Sequence, residues 1–247
     1  MSIFYSFAIL INNILEMKKL VGLLVIVFAM QVNAQSNSVL LSHYEAYYKQ
    51  MKTQGDVQGV IDALTHLNIL SPNQSRVDTL AVLYMNEGRH IQALNTIGIE
   101  KKADDSDMAV EVKAVSLHAL NQPVRAVEHY EELFKRTPNA LVAYELADLK
   151  IQLDDLTGAN LKITYGIANS KDDVMRTFYE AQQPYQVKMK AAFLYLKALA
   201  KFKENIETNI DPAIAILDEA LAIEPNFNLA VISKNALVAK KGEPKKN

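Results

Sequence analysis

The sequence predicts an all-α protein built from repeated helical hairpins. Three observations support this fold class: apolar residues recur at helical spacing, small residues recur every 33 positions, and the 247 residues include only 8 glycines and 7 prolines. So few glycines and prolines argue against a turn-rich β-sandwich and favour long helices.

The N-terminal segment 1–34 has the pattern of a signal peptide. Two lysines precede an apolar run over residues 20–30, and Ala34 is a small residue at a cleavage point before Gln35. The run is shorter than the roughly 20 residues that cross a bilayer. We therefore predict Met17 as the true start and an exported, periplasmic mature chain without a membrane span. A retained N-terminal anchor that includes residues 1–16 is the alternative.

Small and large residues alternate along the chain with one shared period of 33. One position of the repeat is small or apolar at Val60, Ala93, Ala126 and Ala159. Four residues later a larger side chain recurs at Leu64, Ile97, Tyr130 and Ile163. A third position, on the preceding helix, is Tyr48, Ala81, Ala114 and Ala147. Because small residues let two helices cross closely, each repeat is predicted to be a helical hairpin.

These positions resemble the tetratricopeptide repeat (TPR). The best matches are Leu80-Ala81, Tyr84, Gly88, Ala93 and Ile97 in the second repeat, then Ala114, Leu117, Ala126, Tyr130 and Pro138 in the third. The resemblance implies a TPR-like superhelix of about five hairpins within residues 35–247, closed by a capping helix at about 226–240. Lys113 and Lys150 depart from it, because they stand where apolar residues are expected.

The period is interrupted after the fourth repeat. The position numbers of Ala159 and its next equivalent, Ala213, differ by 54, which exceeds one period by 21. Residues 172–187 contain β-branched and aromatic side chains around a turn at Pro184, so we predict a short extended or β-hairpin-like insertion there. A helix is predicted to resume from Met189 to Lys203, and a second one to start at Asp211 as N-cap. Residues 241–247 are predicted to be a polar tail.

The sequence contains no recognisable motif of catalysis or cofactor binding. It contains no cysteine, no P-loop or dinucleotide fingerprint, and no histidine pair at metal-binding spacing. We therefore predict no catalytic, cofactor or metal site. A formal net charge of −2 also argues against nucleic acid as a partner. The acidic stretch 104–107 is predicted to be a solvated turn in which Ser106 or Asp107 caps the next helix.

The resemblance implies a groove, lined by the first helix of each hairpin, that binds a partner protein or peptide segment. The register predicts the residues facing it: Asp78, Val82, Met85, Glu111, Val115, His118, Tyr144, Asp148 and Ile151. Tyr144 is the aromatic anchor candidate among them. Ordinary helix surface or packing between repeats is the alternative role for each.

Two functions are compatible with these features. The first is a non-catalytic interaction scaffold or adaptor of the bacterial cell envelope, indicated by the export signal together with the repeat. The second is an exported enzyme or small-ligand binder in which the 172–187 insertion is a lid, indicated by the aromatic residues of that segment. A deep pocket with converging titratable groups under the insertion would favour the second function.

Overall fold

The computed structural model describes residues 37–242, which form eleven helices and a two-stranded sheet. The predicted signal peptide and the end of the predicted polar tail lie outside these residues. The elements are α1 (37–54), α2 (Val57–Leu70), α3 (Gln74–Asn86), α4 (His90–Ile97), α5 (Asp107–Ala119), α6 (Pro123–Arg136), α7 (Ala140–Gln152), α8 (Leu156–Asn169), β1 (Met175–Phe178), β2 (Tyr185–Lys188), α9 (Met189–Glu204), α10 (Ile210–Ile223) and α11 (Asn228–Lys241). None of these helices is both long and apolar enough to cross a membrane.

Two compact units divide within α3, between Leu83 and Tyr84. The first unit contains α1, α2 and most of α3. In the second unit α5 packs with α6, α7 with α8, and α9 with α10. The consecutive pairs confirm the predicted helical-repeat arrangement.

The turns inside four hairpins repeat the same backbone conformation with the period of the sequence. Gly55, Gly88, Asn121 and Asp154 follow one another at the period of 33 and have φ values of 72°, 70°, 55° and 60°. At each turn the next amide donates to the carbonyl five residues before it, as from Gln122 to Leu117 at 2.9 Å. This Schellman geometry satisfies carbonyls at the helix end and requires a left-handed residue. Glycine adopts that conformation freely, and Asn and Asp tolerate it.

The small residues of the repeat are buried, as close crossing of the helices requires. Ala93, Ala126, Ala159 and Ala213 are all completely buried. The larger residues four positions on are buried as well, including Tyr130 and Ile163. The burial confirms the predicted register, because a larger side chain at the crossing would separate the two helices.

Side-chain caps fix several helix starts. Asp56 accepts from the Gly59 amide at 2.9 Å at the start of α2. Ser106, one of the two predicted caps of α5, accepts from the Ala109 amide at 3.1 Å. The predicted cap at Asp211 is wrong. Helix α10 begins at Ile210, after Asn209, so Asp211 lies in the first turn. Pro212 is accommodated there because the first amides of a helix have no partner within it.

A buried ion pair explains why Lys113 occupies a position at which the repeat pattern expects an apolar residue. Its side chain is 0% exposed, and its Nζ donates to both carboxylate oxygens of Asp105, at 2.6 and 2.7 Å, and to the Glu100 carbonyl at 2.8 Å. Asp105 is therefore not part of a solvated turn, which corrects that prediction. Burial disfavours its charge, but the bonds from Lys113 and the Lys102 amide hold its pKa below the ordinary value. Lys150 is only half-buried and pairs at the surface with Glu131 and Asp155.

The predicted insertion is an ordered antiparallel hairpin. β1 pairs with β2 in a register that sets Arg176 opposite Val187 and Phe178 opposite Tyr185. Phe178 and Val187 are buried in a core cluster together with Phe193 of α9 and Phe227. Their apolar surface, whose exposure would be unfavourable, is thus removed from water against the neighbouring helices. Helix α9 follows β2 directly, which confirms the predicted restart at Met189.

Candidate functional site

The structure places the predicted groove residues in three environments. Glu111 is exposed, and five others are half-buried: Val82, Met85, Val115, His118 and Asp148. The other three are buried: Asp78, Tyr144 and Ile151. Asp78 and Val82 belong to the first unit and the remaining seven to the second.

The three buried residues correct the expectation that this register faces a partner throughout. Tyr144 is 3% exposed, because Arg176 and Phe178 of β1 and Phe193 of α9 surround its ring. Ile151 is enclosed in the same core. Asp78 is buried and accepts a hydrogen bond from Gln74 at 2.8 Å. These three residues therefore have the alternative role, which is packing inside the protein. Tyr144 is not an accessible anchor.

A cluster of charged side chains lies between α5, α7 and β1. Arg176 Nη1 donates to Glu145 Oε1 at 2.6 Å, and His118 Nδ1 lies 3.7 Å from the second oxygen of the same carboxylate. With Glu111, Val115 and Asp148 these residues form the α5–α7 face. It therefore combines four of the predicted residues with two, Glu145 and Arg176, that the sequence analysis missed.

The guanidinium of Arg176 is the centre of this cluster. It lies 3.8 Å from the centroid of the Tyr144 ring, in cation–π contact, and its buried Nε has no hydrogen-bond partner among the described residues. Burial works against the charge, but Glu145 and Tyr144 hold the pKa of Arg176 above its ordinary value. Arg176 therefore stays charged and fixes β1 to α7. A signal existed in the sequence, because Arg176 is the one charged residue in the apolar run 174–179.

Asp148 is a half-buried carboxylate of the face, and no cation among the described residues is bonded to it. Its hydrogen-bond donor is the side-chain amide of Gln152, which donates to Oδ2 at 3.0 Å. Burial, and after it the neighbouring charge of Glu145, raises the pKa of Asp148 above its usual range. A cation brought close to Asp148 would stabilise the carboxylate and counteract this rise of its pKa.

Two buried tyrosines form the floor of the face. The Tyr130 ring lies edge-on to His118 with centroids 6.2 Å apart, and burial is the main factor that raises the pKa of Tyr130 and of Tyr144. Both phenols therefore remain neutral. No three His, Cys, Asp or Glu side chains within residues 37–242 are grouped so as to hold a metal ion. The arrangement is suited to recognising a charged group at a surface.

Comparison with known proteins supports the fold. No protein-family model matches the sequence, and no curated protein matches it significantly. A tetratricopeptide repeat protein from Parabacteroides merdae superposes with a TM-score of 0.59 at 15% identity, over 84% of this chain and 74% of that one. MamA gives 0.56 at 15% identity over 84% and 98%. YrrB, a TPR protein with an unusual peptide-binding site, gives 0.60 at 14% identity over 78% and 90%. At these identities the likeness shows a TPR-like fold.

Proposed function

We propose that this chain, whose hairpins have the TPR-like fold, is a non-catalytic interaction module of the bacterial cell envelope. It binds a segment of a partner protein at the α5–α7 face. The observation that carries this proposal is the set of ionisable side chains there, the exposed Glu111 and the half-buried His118 and Asp148, held on helices. Stacked repeat hairpins are suited to such binding, because they present extended surfaces without large movements.

The packing under the insertion favours this function over a lid that closes on a small ligand. The hairpin directs Phe178 towards Tyr144 and Phe227, with ring centroids 6.4 and 5.0 Å apart. Val187 is buried in the same cluster. Apolar side chains therefore fill the space beneath Phe178 and Val187, where a lid would have to leave room for a small ligand.

Export is proposed from the sequence of the N-terminal segment 1–34, which has a basic pair, an apolar run and a small residue at position 34. Mass spectrometry of the protein from an envelope fraction is expected to show Gln35 as the mature N-terminus. A mature chain that begins at Met1 or Met17 would contradict export by cleavage.

Site-specific photocrosslinking tests the binding face. A photoreactive amino acid at Glu111, which is exposed on α5, is expected to give a discrete crosslinked product in cells of the source organism. The matched control is the same amino acid at Glu128, an exposed glutamate on α6. Equal products from both positions, or a product from neither, would refute the α5–α7 face as the binding site.

A further inference from the structure

Along the outer edge of β1 the β-hairpin has backbone groups that form no hydrogen bond with the described residues. The Met189 amide donates to the Val174 carbonyl at 2.9 Å, in the same register that sets Met175 opposite Lys188. Hydrogen-bonded pairs alternate in an antiparallel ladder, so Arg176 pairs with Val187. The backbone N–H and C=O groups of Met175 and Thr177 consequently point away from β2.

A contact of β2 independently supports this alternation of hydrogen-bonded and non-hydrogen-bonded pairs. The Lys188 amide donates outward to Glu224 Oε1 at 3.3 Å, so the residue opposite Met175 also directs its amide away from the ladder. On the outer side of β1, no described residue hydrogen-bonds to the backbone of Met175 or Thr177. Met175 is exposed and Thr177 half-buried, so the edge is accessible to another chain.

The two edges of the hairpin have different neighbours. β2 lies beside the end of α10 and the start of α11, through the bond from Lys188 to Glu224 and through Tyr185 Oη, which accepts from the Leu229 amide at 3.4 Å. β1 lies against α7 through the pair of Arg176 with Glu145. β1 is therefore the strand of the hairpin that lies next to the α5–α7 face.

The carboxylates of the α5–α7 face outnumber its cations among the described residues. Glu111, Glu145 and Asp148 contribute three carboxylates, and Arg176 is the cation that pairs with one of them. His118 contacts Glu145 as well and adds a charge only when it is protonated. No cation among the described residues forms an ion pair with Glu111 or Asp148. An incoming segment would meet this charge with a lysine or an arginine.

We infer that β1 accepts an extended segment of a partner protein as an added strand, and that a Lys or Arg of this segment pairs with Asp148. Main-chain hydrogen bonds to Met175 and Thr177 give affinity, and the carboxylate gives specificity. The inference rests on the proposed function and specifies the chemistry of the partner. It also explains the arrangement of Arg176, which holds β1 at the border of the α5–α7 face.

Proline substitutions at opposite edges of the hairpin test the added strand. Thr177→Pro removes an outward amide of β1 and leaves the ladder to β2 intact, since that amide does not point to β2. The matched control is Gln186→Pro, because Gln186 stands opposite Thr177 in the register and directs its amide to the outer edge of β2. Far-UV circular dichroism and the thermal unfolding midpoint establish that both variants fold equally well.

The probe is a phage-displayed library of random linear peptides selected on the full chain. Enriched peptides are expected to contain a Lys or Arg within a run of β-forming residues. Thr177→Pro is expected to abolish their binding, whereas Gln186→Pro keeps it. Asp148→Asn is expected to raise Kd about tenfold, and Asp172→Asn, an exposed aspartate before the hairpin, leaves it unchanged.

Three results would overturn the inference: no enriched peptide, enriched peptides without a basic residue, or binding that survives Thr177→Pro. The crosslinking experiment at Glu111 separates this failure from that of the proposed function. If the crosslink forms equally in the Thr177→Pro variant, the face binds a partner but β1 does not receive a strand. If no crosslink forms in the unmodified chain, both proposals fail.

Discussion

Replacement of Lys113 by leucine tests how the buried ion pair stabilises the third hairpin. The substitution introduces the residue that the second and fourth repeats carry at this position, Leu80 and Leu146. It removes all three bonds of the ammonium group, two to Asp105 and one to the Glu100 carbonyl. The alkyl stem of lysine and the leucine side chain fill similar volumes, so the lost bonds dominate the result.

The magnitude follows from what remains at Asp105. Removing one partner of a buried ion pair costs about 3–5 kcal/mol, because the other charge is left buried. Asp105 keeps a bond from the Lys102 amide at 2.9 Å, which partly satisfies the carboxylate. We therefore expect Lys113→Leu to lower the free energy of unfolding by about 3 kcal/mol. Asp105→Asn leaves the lysine charge buried and is expected to cost a similar amount.

Urea unfolding measures the coupling between Lys113 and Asp105. It is carried out on the unmodified chain, the two single variants and the double variant. The double variant is expected to lose about 2 kcal/mol, less than either single variant, because neither buried charge remains unpaired. Two results would refute the reasoning. One is a Lys113→Leu variant as stable as the unmodified chain, and the other is single losses that add within about 0.5 kcal/mol.

Acid unfolding gives a second measurement of the same pair. The pKa of Asp105 is lower in the folded chain than its ordinary value of 3.8, so its contribution is fully present above pH 3.8. It is lost as the pH falls through the lower, folded pKa. We expect stability to fall with acid more steeply in the unmodified chain than in Lys113→Leu below pH 3.8. Equal slopes of stability against pH in the two proteins would indicate that Lys113 does not lower the pKa of Asp105.

Three further substitutions test the repeat geometry by thermal unfolding. Ala126→Leu is expected to cost about 1–3 kcal/mol by overpacking the helix crossing, and an unchanged midpoint would contradict the register. Asn121→Gly is expected to add about 0.5 kcal/mol, because glycine adopts the left-handed turn freely, as two other hairpins show; a lower midpoint would contradict this. Gly166→Ala is expected to cost about 1–2 kcal/mol, because its Cβ would overlap the Phe193 ring. The cost of this overlap exceeds the gain in helix propensity. A raised midpoint would show that the ring moves aside.

The insertion shows which features can be predicted from local sequence and which cannot. Its β-branched and aromatic residues predicted an ordered extended segment over 172–187, and β1 and β2 lie in this segment, with Lys188 one residue beyond it. The partner of Arg176 was not predictable, because Glu145 is 31 residues earlier in the chain. Helical periodicity places a residue on a face of its own helix, but it does not reveal which other segment covers that face. For the same reason Tyr144 was predicted at an open surface.

The sequence by itself determined the helical hairpins, their period and the positions of close helix contact. These depend on local properties, namely apolar spacing, small residues and turn residues, that recur within each repeat. Only the tertiary structure decided the burial of Lys113, the cover over Tyr144 and the charged cluster on the α5–α7 face. Each of these depends on contacts between segments distant in sequence, where the balance between desolvation and pairing decides whether a charge can be buried.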